Sequence, residues 1–199
     1  FDDPASAFES DNQTVFEDRI NDDGKATIEP NISLENGAPG VLNATFSTKV
    51  FEQGGGFSID HFTIPFYPYN SYVGVVVPDQ TDYRKILYTG EDHAIKVVNV
   101  DCNGKLLKRS KVRLEIYKVE WRWWWDDYDN LSDYMSSYST LIKQSEEKVI
   151  NGKGDFKFNF KDEDWGRYLI RVVDLESGHK TGVVVYVDNR NWWSRSHGE

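Results

Sequence analysis

The chain has 199 residues, of which 15% are aromatic, and a formal net charge of −10. An acidic surface is repelled by nucleic-acid phosphates and by anionic membrane surfaces, which argues against both as partners. The single cysteine, Cys102, cannot form an internal disulfide, and no stretch approaches the ~18 apolar residues of a membrane span. The sequence opens on Phe1 and an acidic, turn-rich run, so we expect it to come from a longer precursor.

After this turn-rich start, the first 77 residues predict about four strands. Ala26–Leu34 keeps one apolar parity across Pro30 and predicts an edge strand or a bulge. Leu42–Thr48 alternates with polar residues, Gly54–Gly56 predicts a hairpin turn or a bulge, and Phe57–Ile64 continues the β pattern. Val73–Val77 predicts a buried strand that closes this first domain.

We place a domain boundary in the polar, turn-rich residues 78–85. The remainder predicts about seven short strands, which is typical of a β-sandwich. Their approximate positions are 86–89, 95–100, 112–116, 138–149, 156–160, 168–172 and 183–187. Asn130–Ile142 is the one helix candidate, and its Ser and Tyr content makes it a weak one. The predicted fold is all-β: tandem Ig-like or fibronectin-like antiparallel sandwiches, with the first incomplete.

The sequence offers no site for catalysis, a cofactor or a metal. Cys102 follows an aspartate, unlike the electropositive surroundings of a reactive thiolate, and there is neither a Gly-x-Ser-x-Gly elbow nor a phosphate-binding loop. Asp126–Asn130 is rich in oxygen ligands but lacks the spacing and the glycine of a calcium loop, so a solvated turn is favoured. The histidines are not spaced as zinc ligands. They are His61, His93, His179 and His197.

A tryptophan-rich run is the most unusual feature of the sequence. If a strand continues through it, Trp121, Trp123 and Trp125 share one face, with Arg122 and Trp124 on the other. The rings could stack on sugars, pack against a neighbouring domain, or pack internally with the arginine on a ring. The candidate interface or packing residues, including a second aromatic pair near the C-terminus, are Trp121, Arg122, Trp123, Trp124, Trp125, Trp192 and Trp193.

Several motifs resemble a segment of bacterial alpha-2-macroglobulins that lies just before the bait-region domain. They are Trp121–Asp126, Trp165–Tyr168, Val172–Asp174 and Thr181–Asp188, and the resemblance extends over about residues 24–193. The tryptophan-rich motif with its aspartate is fairly specific, whereas the strand patterns alone are not.

The resemblance implies a scaffold segment of a large extracytoplasmic protease inhibitor, often a periplasmic lipoprotein. Such proteins are serial seven-stranded macroglobulin-like sandwiches that trap proteases after bait cleavage. The resemblance also implies a partial macroglobulin-like domain over 1–80 and a complete sandwich over 81–199. The implied partners are the parent's other domains and its target proteases. The family's reactive thioester lies in a Cys-x-Glu-Gln motif. Cys102 is followed by Asn-Gly-Lys, so no thioester transfers.

Three further expectations follow. A half sandwich exposes edges and core surface, so the first domain should self-associate or lean on the second. The long connection Tyr128–Lys148 could be a protease-sensitive, bait-like loop, although its basic sites are only Lys143 and Lys148. The alternative function is a carbohydrate-binding or adhesin sandwich that uses Trp123, Trp124 or Trp125; a hydrolase would need an acid–base pair that the sequence does not offer.

Overall fold

The structure, a computed structural model, describes residues 8–34, 37–77, 86–119, 139–161 and 163–189. Within these ranges it contains strands and no helix. The strands are β1 (Leu42–Phe51), β2 (Phe57–Phe66), β3 (Ser71–Val76), β4 (Ile86–Tyr88), β5 (Asp92–Asp101), β6 (Arg109–Val119), β7 (Ser139–Ile150), β8 (Lys153–Asn159), β9 (Gly166–Asp174) and β10 (Lys180–Asp188).

Strands β3 to β10 form a two-layered sandwich. Neighbouring strands follow the order β3-β5-β8-β7-β6-β9-β10-β4. Strands β7 and β8 share a single residue pair, Ile150 with Lys153, at their connecting turn. The strand order therefore divides at this turn into two layers. One layer contains β3, β5 and β8, and the other contains β7, β6, β9, β10 and β4. This confirms the predicted all-β, Ig-like fold.

The core lies between the two layers because the strands alternate as the sequence predicts. Val112, Leu114 and Ile116 of β6 face inward, and Ile170 of β9 and Ile95 of β5 are fully buried beside them. Burial of each such side chain contributes about 1.5–3 kcal/mol relative to leaving it in water. All these residues belong to one continuous apolar cluster drawn from both layers.

Strands β1 and β2 form a separate two-stranded sheet. They pair antiparallel over ten residues each, and the turn between them includes Gly55 at φ +84°, a conformation that favours glycine. Phe46 stacks on Phe62 across the two strands, with ring centroids 5.0 Å apart. In the described part of the chain neither strand pairs with a third. The predicted first domain therefore contributes a hairpin here and not a closed sandwich.

The structure corrects three strand-level predictions. Val73–Val77 does not close the first domain, because β3 pairs with β5 and the sandwich thus begins at Ser71, ahead of the expected boundary at residue 81. Ala26–Leu34 forms no strand among its described residues, since no neighbouring strand accepts its hydrogen bonds. Ser139–Ile142 belongs to β7, so this end of the helix candidate is strand. The assignment of residues 1–80 to a partial macroglobulin-like domain stays a prediction.

Candidate functional site

The residues selected from the sequence as candidate interface or packing residues lie outside the described part of the chain. These are Trp121, Arg122, Trp123, Trp124, Trp125, Trp192 and Trp193, and the same holds for the acidic run 126–130. The three interpretations of the tryptophan run therefore stay predictions. Strand β6 leads up to the run, since it ends at Val119.

Only the second half of the bait-like segment Tyr128–Lys148 lies within the described residues. Its residues 128–138 lie outside the described ranges, whereas residues 139–148 belong to β7. Lys143 pairs with Ile116 and Lys148 with Lys111, both in antiparallel register with β6. The prediction of a loop is wrong for this second half, because strand pairing fixes the backbone around both basic residues.

Within the described ranges, no three His, Cys, Asp or Glu side chains gather as a metal site would require. Cys102 is an exposed free thiol. No helix among the described residues is long and apolar enough to cross a membrane.

The most developed polar site lies at the turn between β9 and β10, residues 174–179, which we call the clasp turn. Asp174 is fully buried at the end of β9, and its carboxylate accepts hydrogen bonds from Ser71 Oγ, from Asn99 Nδ2 at 3.0 Å, and from the backbone N–H groups of Glu176 and Ser177 at 2.9 and 3.3 Å. Burial alone would raise the pKa of this carboxyl. The four hydrogen bonds outweigh burial and hold the pKa below its ordinary value of 3.8.

His179 occupies the other end of the clasp turn and is 6% exposed. The backbone N–H of Val73 donates to its Nδ1 at 3.0 Å. The carbonyl of Pro39 lies near enough to the ring to favour its protonated form. A backbone N–H can only donate, so Nδ1 carries no proton and the ring is neutral, with its proton on Nε2. Burial lowers the pKa of His179 below 6.5, and the opposing effects of the Asp174 carboxylate and the Pro39 carbonyl do not reverse this.

Two tyrosines complete the surroundings of the histidine ring. The rings of Tyr69 and Tyr72 meet His179 edge-on at centroid distances of 5.2 and 4.9 Å. The Tyr69 hydroxyl donates to the carbonyl of Ala38 at 2.8 Å. Burial raises the pKa of both phenols, which keeps them neutral. The site therefore ties the turn 37–40, just before β1, to the end of the sandwich.

A cavity of about 250 Å³ lies beside this junction, next to Tyr69. Most of its lining residues are apolar, but polar and apolar atoms contribute about equally to its surface. The N-terminal segment and the base of the hairpin both contribute to it. Its lining residues are Ile32, Leu34, Gly37, Ala38, Phe66, Pro68 and Tyr69. Its walls contain no converging acid, base or nucleophile, so it has the character of packing space between the segment and the hairpin.

A second polar cluster lies on the outer face of the larger layer. Arg171 Nε donates to Glu115 Oε2 at 2.6 Å, and its guanidinium also donates to the Tyr117 hydroxyl at 2.8 Å and lies over that ring at 5.1 Å. Tyr117 in turn donates to Glu115 at 3.0 Å. Glu115 is only 5% exposed, so the hydrogen bonds from Arg171 and Tyr117 offset the cost of burying its carboxylate. The cluster fixes β6 against β9 and has no free nucleophile or base.

Sequence reasoning missed both clusters as sites. For His179 the spacing of the histidines excludes a zinc ligand and indicates no other role. One signal was available: Tyr168, Ile170, Val172 and Asp174 share a parity, so the apolar face of β9 continues into an aspartate that must be buried. A buried carboxylate requires donors, and these come from Ser71 and Asn99, which are distant in sequence.

Comparison with known families identifies the sandwich. The model of the family described as bacterial macroglobulin domain 6 matches residues 76–189, which is more than half of the chain and includes β4 to β10. The chain belongs to the bacterial macroglobulin family. This confirms the resemblance that the sequence motifs indicated. No curated protein sequence matches the chain.

Solved alpha-2-macroglobulins are similar at low identity. Trypsin-activated alpha-2-macroglobulin from Escherichia coli is 16% identical, with a TM-score of 0.46, over 76% of this chain and 10% of that one. Salmonella alpha-2-macroglobulin reacted with methylamine is 15% identical, with a TM-score of 0.39, over 75% and 10%. The sporulation control protein Spo0M from Bacillus subtilis is 13% identical, with a TM-score of 0.37, over 62% and 51%. The macroglobulin chain spans about a tenth of the length of the alpha-2-macroglobulins, and its family assignment rests on the domain match.

Proposed function

We propose that this macroglobulin chain is a non-catalytic scaffold segment of a bacterial alpha-2-macroglobulin-type protease trap. The observation that carries the proposal is the match of macroglobulin domain 6 over residues 76–189, which coincides with seven of the eight strands of the sandwich. The polar clusters support it, because their hydrogen bonds fix strands to one another. The trapping of target proteases would belong to the intact parent.

The hairpin β1–β2 would belong to a neighbouring macroglobulin-like sandwich of the parent. A two-stranded sheet is at best marginally stable alone in water, and three or more strands with a shared apolar face are needed. Phe62 and Ile64 are 48% and 46% exposed on the face that also contains Phe46. Strands from elsewhere in the parent would cover this face. Pairing of two hairpins from separate copies is the competing outcome.

The parent would act outside the cytoplasm, as a periplasmic and lipid-anchored protein. Family membership supports this, since proteases that attack a bacterium from outside are met there. Fractionation of cells that express the parent, with the protein tracked by antibody, tests the location. Recovery in the cytoplasmic fraction would refute it.

The central experiment compares the intact parent with a variant of its hairpin face. A trap hides a protease from large substrates while leaving it active on small ones. We expect the parent to block cleavage of a protein substrate by trypsin but not of a small peptide substrate, and Phe62→Asp to reduce this protection severalfold. The control is Thr63→Asp, because Thr63 points to the opposite face of the hairpin, where it is paired with Thr45. A parent that leaves protein cleavage unchanged would disprove the proposal.

A further inference from the structure

The hairpin is joined to the sandwich by a short stretch of chain that leads into an edge strand. Strand β2 ends at Phe66 and β3 begins at Ser71, so a short connector, residues 67–70, joins them. Strand β3 is an edge strand whose only hydrogen-bonded neighbour among the described strands is β5. The connector therefore leads from the hairpin directly into the N-terminal end of β3.

This end of β3 is held by the clasp turn, which belongs to the opposite layer. Ser71 Oγ donates to Asp174, Ser177 Oγ donates to the Ser71 carbonyl at 2.8 Å, and the Val73 N–H donates to His179. None of these three bonds is part of the sheet ladder. Tyr69, whose ring meets the same histidine edge-on, donates to the Ala38 carbonyl, so the segments on both sides of the hairpin meet beside one ring.

We propose that His179 is a proton-operated clasp: its neutral ring holds β3 on the sandwich, and its protonation releases the start of β3. The reason is geometric. Protonation places a hydrogen on Nδ1, which then faces the Val73 N–H, so two donors oppose each other where water is excluded. The hydrogen bond from the Tyr69 hydroxyl to the Ala38 carbonyl does not involve the ring nitrogens, so release acts on β3 first.

The other groups that face the ring modify this response without removing it. Asp174 favours the protonated ring, but its carboxylate is already satisfied by four donors. Tyr69 and Tyr72 face the ring with neutral phenols, and Cys102 of the β5 end lies near Tyr72. On the clasp turn itself, Glu176 and the adjoining Lys180 are exposed to solvent.

The pH window follows from the direction of the shift. In the unfolded chain the imidazole takes up a proton near pH 6.5, whereas burial in the folded chain lowers its pKa. The stabilising effect of the neutral ring is therefore fully present above pH 6.5 and is lost progressively as the pH falls below it. Asp174 acts only in more acidic solution, because its pKa lies below 3.8.

Hydrogen exchange of the full 199-residue chain tests the clasp, with rates corrected for the intrinsic effect of pH. Between pH 7.5 and 5.5 we expect the Val73 amide to lose about two- to tenfold of its protection, the range for one hydrogen bond. His179→Asn keeps an acceptor near the position of Nδ1 and does not titrate, so its Val73 protection should not depend on pH. The control is His93→Gln, at a ring that bonds only the nearby Tyr88 carbonyl and should keep the wild-type response.

Two results would overturn the proposal: pH-independent protection of Val73 in the wild type, or an unchanged pH response in His179→Asn. If the asparagine variant does not fold, ¹⁵N spectra of the wild-type ring decide the matter. At pH 7.5 they must show His179 neutral with its proton on Nε2, and its titration must coincide with the shift of the Val73 amide. Titration of the ring without any change at Val73 would count against the clasp.

Discussion

The hairpin and the sandwich have the same alternating sequence pattern but very different burial. Val112 and Ile170 in the sandwich are fully buried, whereas Phe62 and Ile64 on the apolar face of the hairpin are 48% and 46% exposed. Alternation of apolar and polar residues specifies a strand with two different faces. Burial requires a second layer, which the sandwich has and which the hairpin lacks among the described residues. The apolar face of the hairpin therefore has the composition of a core without its partner.

The largest expected effect compares an isoleucine in each region. Ile170→Ala should lower the free energy of unfolding of the sandwich by about 2–5 kcal/mol, because it leaves a cavity in a close-packed core. Ile64→Ala in the hairpin should change it by less than about 1 kcal/mol, since that side chain is 46% exposed. Urea unfolding of both variants measures the difference. Equal losses would mean that the hairpin is covered within the isolated chain.

Two glycines at strand turns provide the next comparison. Gly152, between β7 and β8, has φ +68°, and a Cβ there would lie 2.7 Å from Leu106 Cβ and 2.8 Å from the Asn99 carbonyl oxygen. Gly55, in the hairpin turn, has φ +84° but open space around it. Gly152→Ala should cost more than about 2 kcal/mol through strain and collision, and Gly55→Ala only about 1–2 kcal/mol through strain alone. Thermal unfolding measures the stability lost by each variant. A smaller loss for Gly152→Ala would show that Leu106 and the Asn99 backbone move to accommodate the added methyl group.

Two arginines on the outer face of β6 and β9 test how burial of an ion pair changes its contribution to the free energy of unfolding. Arg171→Met leaves the nearly buried Glu115 without its cation and should cost about 2 kcal/mol. Arg113→Met removes an exposed pair with Glu146, joined at 2.8 Å, and should cost at most about 1 kcal/mol. Denaturant midpoints at low and high salt provide the measurement. A strong salt dependence of the Arg171 contribution would indicate that the cluster is more hydrated than the geometry shows.

The smallest effect concerns one aspartate in each region and depends on pH. Asp174→Asn should lose about 1.5 kcal/mol at pH 7 through weaker acceptance of hydrogen bonds. The pKa of Asp174 is lowered in the folded chain, so its contribution is present above pH 3.8 and is lost as the pH falls through the folded value. The wild type and variant should therefore converge in acid. Asp60→Asn on the exposed hairpin should change the free energy of unfolding at pH 7 by less than about 0.5 kcal/mol. Equal losses at the two positions would contradict the role of Asp174.

Local pattern predicted the strands of the sandwich well. The alternation over Val112, Leu114 and Ile116 predicted β6 and its inward face, and the apolar parity of Tyr168, Ile170 and Val172 did the same for β9. These predictions hold because the two-residue period of a strand is a local property. The motifs of the same region also indicated the family to which the chain belongs, as the domain match confirms.

The sheet that each strand joins and the polar residues that meet depend on contacts between distant parts of the chain. Val73–Val77 was correctly predicted as a strand but assigned to the wrong domain, since its pairing with β5 is a contact between distant parts of the chain. The same holds for Ser71 and Asp174, which are 103 residues apart and form one hydrogen bond. Strand, face and family follow from the sequence alone, because each depends on short-range periodicity and motifs. The clasp turn and its histidine needed the fold, because their chemistry depends on which donors and acceptors are brought together where water is excluded.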